Sequence, residues 1–271
     1  MKERRNPKVV LTIAGFDPSS GAGITADFKT MAAHGLYGIA CVTALTVQTT
    51  QGVFRSEPVR PELVRETLEA LMEDTPPAAV KIGMLGSEEV ASAVARFLEA
   101  RRLPNIVLDP VLTSTSGASL LDGGKEGINV LRDQLLPLAE VITPNLDEAS
   151  ALTGIRVTDS RTMETACREF QKLGVRNIVI TGGHLDKPRD LLATVQTDAT
   201  LAFHWYEHEK VPGQSVHGTG CAYASAIACN LTHGRSLEEA VQLAGDYVLQ
   251  GIKEAYPVGK GAKPFNHFHS S

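Results

Sequence analysis

In the last quarter of the chain, His217-Gly218-Thr219-Gly220-Cys221 sets two glycines, a hydroxyl and a thiol ahead of small apolar residues at 222–231. Glycines let backbone approach a ligand closely, and amides opening a helix point at whatever lies before it, at the positive end of the dipole. The segment suits a phosphate-sized anion, with Cys221 beside it and its thiol expected to have a lowered pKa. The same residues would also serve as a turn before a core helix with an inert cysteine. The pentad alone leaves both readings open.

Other residue sets carry related chemistry. Residues 15–23 lack the spacing of a dinucleotide GxGxxG and the Gly-Lys-Ser/Thr of a P-loop, but their Gly-Ala-Gly core brings backbone close to a small substrate. Asp27, one turn into the next helix, offers an acceptor to an amine on that substrate, or else complements the helix dipole. Gln48 has a donor and an acceptor on one amide, which suits a ring nitrogen beside an exocyclic amine, or simply caps a strand end. Met84 offers a polarizable sulfur to an aromatic ligand, or packs in the core. Asp109 ends an apolar strand, where an unpaired carboxylate is costly. Asn145 and Glu148 stand at helical i,i+3 spacing. With waters and phosphates they match what magnesium takes, and they also match a capping box; the two roles are compatible. The remaining histidines show no metal-ligand spacing, while His184 and His217 beside glycines read as supporting or phosphate-contacting groups.

The elements that must hold these residues alternate along the chain. Strands are expected at 9–14, 37–45, 78–82, 106–109, 141–143 and 177–181, and helices at 24–34, 61–71, 88–101, 125–135, 145–152, 161–173, 222–231 and 236–253. Residues 191–196 and 202–207 read as a hairpin. Such alternation predicts a mostly parallel sheet with helices on both faces and antiparallel strands at one edge. Ligands bind beyond the carboxyl ends of such strands, where the glycines and polar residues collect. No linker or repeat divides residues 1–271, so one domain is expected, with residues 1–7 a loose, charged lead-in. Residues 111–124 read as a mobile lid by composition, and 257–263 as a cover for adenine.

With 43% hydrophobic residues the 271-residue chain can bury a large core. A net charge of −5 without a basic stripe argues against nucleic acid, and no apolar run is long enough for a bilayer. Cys41, Cys167, Cys221 and Cys229 show no CxxC spacing, which points to reduced thiols in a cytoplasmic protein.

Residues 14–27, Thr143-Pro144-Asn145 with Glu148, the HGTGC pentad, Lys81-Ile82-Gly83-Met84 and Asn266-His267-Phe268 together resemble the hydroxymethylpyrimidine/phosphomethylpyrimidine kinases of thiamine biosynthesis, over essentially residues 9–268. The resemblance implies a three-layer α/β/α ribokinase-like fold, ATP as phosphoryl donor, Mg2+ and a homodimer. By that resemblance Gly15, Asp27, Gln48 and Met84 would hold the aminopyrimidine, and Gly218, Thr219, Gly220 and Cys221 would form the anion hole. Asn145, Glu148, Thr181, Gly183 and His217 would serve the nucleotide, with Glu148 and Asp109 toward the metal. Cys221 stands where most ribokinase-like enzymes carry an aspartate base. Thr181 replaces a lysine found in many relatives, and Phe16 a usually small residue. A pyridoxal kinase of the same superfamily, or a non-catalytic pyrimidine sensor, are the alternative readings.

Overall fold

A computed structural model describes residues 6–114, 117, 119–183, 185–211 and 216–269. Part of the expected loose lead-in and of the 111–124 lid, together with His184, lies outside them.

Strand β1 (Val9–Phe16) is followed by α1 (Gly23–Ala33), β2 (Tyr37–Thr49), β3 (Gly52–Pro58), α2 (Pro61–Asp74) and β4 (Ala79–Ile82). The chain continues through α3 (Glu88–Arg101), β5 (Ile106–Leu108), α4 (Lys125–Val130), β6 (Val141–Ile142), α5 (Leu146–Thr153), α6 (Ser160–Lys172) and β7 (Asn177–Ile180). It closes with β8 (Arg189–Val195), β9 (Leu201–Glu207), β10 (Val216–His217), α7 (Thr219–Thr232), α8 (Leu237–Lys253) and β11 (Lys263–Pro264). The main sheet runs β3-β2-β1-β4-β5-β6-β7-β8-β9. Its six central strands are parallel, while β3, β8 and β9 pair antiparallel.

The period of two along each strand builds the layers. Leu11, Ile106, Leu108 and Ile178 pack with α2, α3, α5 and α6, whereas Val10, Val107 and Val179 pack with α1, α7 and α8. Three layers result, as expected.

Two elements depart from expectation. The second strand runs on to Thr49 and turns into β3, so antiparallel strands flank both edges instead of one. Beyond the end of β1 the strand keeps its hydrogen bonds by pairing with β3, which the apolar pattern of residues 37–45 does not announce. The helix expected at 125–135 holds α-geometry to Val130 and then widens into a π-turn at Leu131–Leu135, with Pro137 in the short 3-10 turn that follows.

Candidate active site

Because the central strands are parallel, their carboxyl ends share one rim, and the strand order arranges that rim in sequence. Gln48 on β2, Gly15 on β1 and Met84 after β4 occupy one half; Asp109 after β5 is central; Asn145 after β6 and Thr181 after β7 occupy the other half. Helix α7 packs on β4 and β5, which brings its first turn to the middle.

On the Gln48 side of the rim lies a cavity of about 360 Å³ lined by Gln48, Thr50, Val53, His217, Lys260 and Ala262, among others. A bulge between β2 and β3 falls at Val47/Gln48, the kind of irregularity that re-aims a side chain. Thr46 Oγ1 lies 3.2 Å from Gln48 Oε1, and Gln48 Nε2 lies 3.0 Å from His217 Nε2. Met84 clusters with Ala44 and Leu120, and a Cβ on Gly15 would stand 2.8 Å from its sulfur and displace the thioether. Gly15, Gln48 and Met84 are thus gathered on one side of the rim.

Asp27 is not among the groups open to that cavity. Its side chain is fully buried, and both carboxylate oxygens are occupied: Thr12 donates at 2.6 Å, Ser225 at 2.7 Å, and the Lys81 ammonium lies 3.0 and 3.1 Å away. The expected bond to a substrate amine is corrected accordingly, since no free acceptor faces the cavity. Lys81 went unnoticed as a charged group because it sits within an apolar strand pattern. Its only local signal is that a lysine there must be paired.

Of the two roles expected of His217, the contacts of its Nε2 are those of a supporting group. Its Nε2 lies between Gln48 and Asp17 Oδ2, the latter at 3.4 Å. Asp17 accepts from Ser19, Gly21 and Ala22 amides. Although burial alone would raise its pKa, the His217 bond and those from Ser19 and Ala22 hold Asp17 below the usual carboxylate range. Residues 257–263, expected over adenine, fold instead onto the β2–β3 turn: Ala262 N–H donates to Thr50 O at 2.9 Å, and Lys263 pairs with Val216.

At the centre, α7 begins at Gly218 with φ 86° and no side-chain cap. A Cβ there would collide with the Gly21 carbonyl, so the approach of the Gly15–Gly23 loop to the pentad requires glycine on geometric grounds. The amides of Thr219, Gly220 and Cys221 open the helix toward the rim, as an anion site needs. Cys221 is hydrogen-bonded to Asp109 and accepts from the Gly23 amide. Its thiol is not acidified, contrary to expectation. Although the residue keeps partial contact with solvent, burial pushes the pKa up to about 12, with the Asp109 and Asp27 carboxylates adding to the rise against the pull of Lys81 and Gly23.

In the other half, Asn145 and Glu148 form the capping box of α5. Asn145 Oδ1 accepts from Asp147 and Glu148 amides at 2.9 Å, and Glu148 Oε2 accepts from Asn145 N–H at 2.9 Å. Asn145 Oδ1 is therefore committed to the helix, leaving its Nδ2 as a donor. Burial raises the Glu148 carboxyl to about 8, with Asp109 adding to the shift. Burial also raises Asp109, to about 6, against the pull of Lys81. Thr181 bridges to Asn145, Gly182 N–H donates to Asp190 at 3.0 Å, and Gly183 is exposed with open space where a Cβ would project. Among the described residues no group of three or more His, Cys, Asp or Glu side chains forms a metal cage, and no helix is long and apolar enough to cross a membrane.

Residues 17–266 match the family model described as phosphomethylpyrimidine kinase. The chain is 42% identical over 261 residues to a thiamine biosynthesis bifunctional protein of Geobacter sulfurreducens, covering 95% of this chain but 52% of that longer one. It is 39% identical to a hydroxymethylpyrimidine/phosphomethylpyrimidine kinase of Haemophilus influenzae, covering 97% of each. Among solved structures, an ADP complex of Bacillus subtilis pyridoxal kinase superimposes with a TM-score of 0.87 at 31% identity, over 97% of this chain and 98% of that one. The three layers are those of the ribokinase-like fold. Matched by that family model over residues 17–266 and by a relative of equal span, the chain belongs to the phosphomethylpyrimidine kinase family.

Proposed function

We propose that this kinase transfers the γ-phosphoryl group of ATP to the hydroxymethyl oxygen of 4-amino-5-hydroxymethyl-2-methylpyrimidine, and in a second turnover phosphorylates the monophosphate to the diphosphate. The observation that carries this reading is the order of groups along the rim: Gln48, Gly15 and Met84, then Asp109 and Cys221, then Asn145 and Thr181. An acceptor ring held in the first set would direct its hydroxyl to the first turn of α7, and a nucleotide in the last set would bring its γ-phosphate to the same place.

Phosphoryl transfer asks for positioning and for neutralising charge on the transferring group. Amides of Thr219, Gly220 and Cys221 supply donors at the positive end of α7. A thiol with a pKa of about 12 stays protonated at neutral pH, so Cys221 aligns the hydroxyl and does not act as a thiolate base. Gln48, fixed by Thr46 and His217, would read the ring nitrogen and exocyclic amine, with Met84 against the ring. Asp109 and Glu148 are like-charged, buried and both raised, an arrangement that a divalent cation would relieve. They would hold Mg2+, with phosphates and water completing its shell, and the ion would neutralise the phosphates.

A coupled ADP-release assay with the aminopyrimidine, its monophosphate and pyridoxal, side by side, tests the reading; turnover of pyridoxal alone would overturn it in favour of a pyridoxal kinase. Cys221→Ala keeps the backbone amide but loses the thiol that aligns the hydroxyl, and should lower turnover about 10²-fold while nucleotide binding persists. The exposed apolar side chains Leu45, Val47 and Phe54 on the β2–β3 hairpin fit coverage by a second copy of the chain. Light scattering should then find a dimer that Phe54→Glu converts to monomers. Four free cysteines suit a reducing compartment such as the cytoplasm.

A further inference from the structure

The buried pair of Lys81 and Asp27 belongs to neither half of the rim. Lys81 is wholly enclosed on β4, and Asp27 on α1 takes it with both oxygens. Thr12 on β1 and Ser225 on α7 donate to the same carboxylate. One side chain thereby ties together four elements that meet beneath the pentad. Removing two charges from water is expensive, and apolar side chains of equal volume often stabilise a core better, so stability alone is a poor account of the pair.

Its surroundings give a better one. Ser225 lies one turn beyond Cys221, on the same face of α7. The start of that helix has no side-chain cap. Gly83, at the rim end of β4, leaves the room that the ammonium occupies: a Cβ there would stand 2.7 Å from Lys81 Nζ. The charge of Lys81 is felt at both Cys221 and Asp109. Asp27 also sits one turn into α1, whose first amide, Gly23 N–H, reaches the Cys221 sulfur. Both helix starts that converge on the thiol are therefore braced by one carboxylate.

We propose that Lys81, Asp27 and Ser225 are positioning residues for phosphoryl transfer: the buried ion pair, tied to α7 through the Ser225 hydroxyl, fixes the first turns of α1 and α7 around Cys221. The inference rests on the reading of Gly218, Thr219, Gly220 and Cys221 as the site of transfer. It assigns no substrate contact to the three residues. Their loss acts on kcat and leaves the KM values for ATP and the pyrimidine in place.

Ser225→Ala, Ser225→Thr and the charge-balanced double variant Lys81→Met/Asp27→Asn test it, with Cys221→Ala measured in parallel. Ser225→Ala should lower kcat about tenfold with both KM values within about twofold, Ser225→Thr should restore it by returning the hydroxyl, and the double variant should fall about 10²-fold, the scale expected of a small misplacement. Should the double variant fail to fold, the two Ser225 variants decide the matter. Wild-type kcat in Ser225→Ala while Cys221→Ala is inactive overturns the positioning role and leaves the site standing. Wild-type turnover in Cys221→Ala overturns the site itself.

Discussion

Two buried charge pairs, one at the rim and one beneath it, are opposite in kind. Asp27 and Lys81 are of unlike sign, in contact, with the carboxylate saturated by two hydroxyls as well. Asp109 and Glu148 are of like sign, and the Asp109 carboxylate makes Glu148 harder to ionise. The first pair is complete within the protein. The second is complete only with something positive beside it. Where charges are internally balanced the structure braces, and where they are left unbalanced it binds.

The sharpest way to break this contrast is to remove one charge from each pair. Lys81→Met strands a buried carboxylate and should cost about 3–5 kcal/mol in urea or thermal unfolding, with most of the loss recovered when Asp27→Asn is added. A loss no larger than that of an exposed lysine would sink the idea of a bracing pair.

The pH dependence of stability sharpens the second half. Asp109 and Glu148 have folded pKa values of about 6 and about 8, above their ordinary values of 3.8 and 4.5. Between those limits the folded chain binds more protons than the unfolded one, so stability falls as pH rises from about 4 to about 8. Without divalent cation the expected drop is on the order of several kcal/mol, at about 1.4 kcal/mol for each pH unit by which the two carboxyls are raised. Mg2+ should raise the melting temperature more at pH 8 than at pH 5; an equal rise at both would argue against cation binding by this pair.

The smallest effect has the opposite sign from the first. Glu148→Gln removes one of two repelling carboxylates and should stabilise the metal-free protein at pH 8 by about 1 kcal/mol, while turnover and the Mg2+-dependent rise in melting temperature both fall. Destabilisation there would show that the capping bond of Glu148 to the Asn145 amide outweighs the repulsion.

Much of this architecture was legible in the residues. Glu88–Arg101 was bounded correctly because Ser87 caps it and its apolar spacing is regular, and the Asn145/Glu148 box depends on neighbours three apart. Strand β3 was not, because the half-exposed Gly52–Pro58 segment shows little apolar alternation and is held by pairing with β2. That Gly15, Gln48 and Met84 share one side of the rim was legible from their place at or just past strand ends, a rule that follows from parallel topology.

The chain by itself determined the local devices: the strand–helix alternation, the caps, and the glycines at which a helix start could open toward an anion. Those follow from interactions between residues a few positions apart. Tertiary structure alone decided that Asp27 faces Lys81, 54 residues away, and Ser225, 198 away, and not a ligand. It decided that His217 meets Gln48 across 169 residues, and that Cys221 is a buried thiol with a raised pKa. The reason is that burial and charge are properties of surroundings. The dielectric around a thiol or a carboxylate is set by groups brought together only when the sheet assembles, and no spacing rule records which they will be.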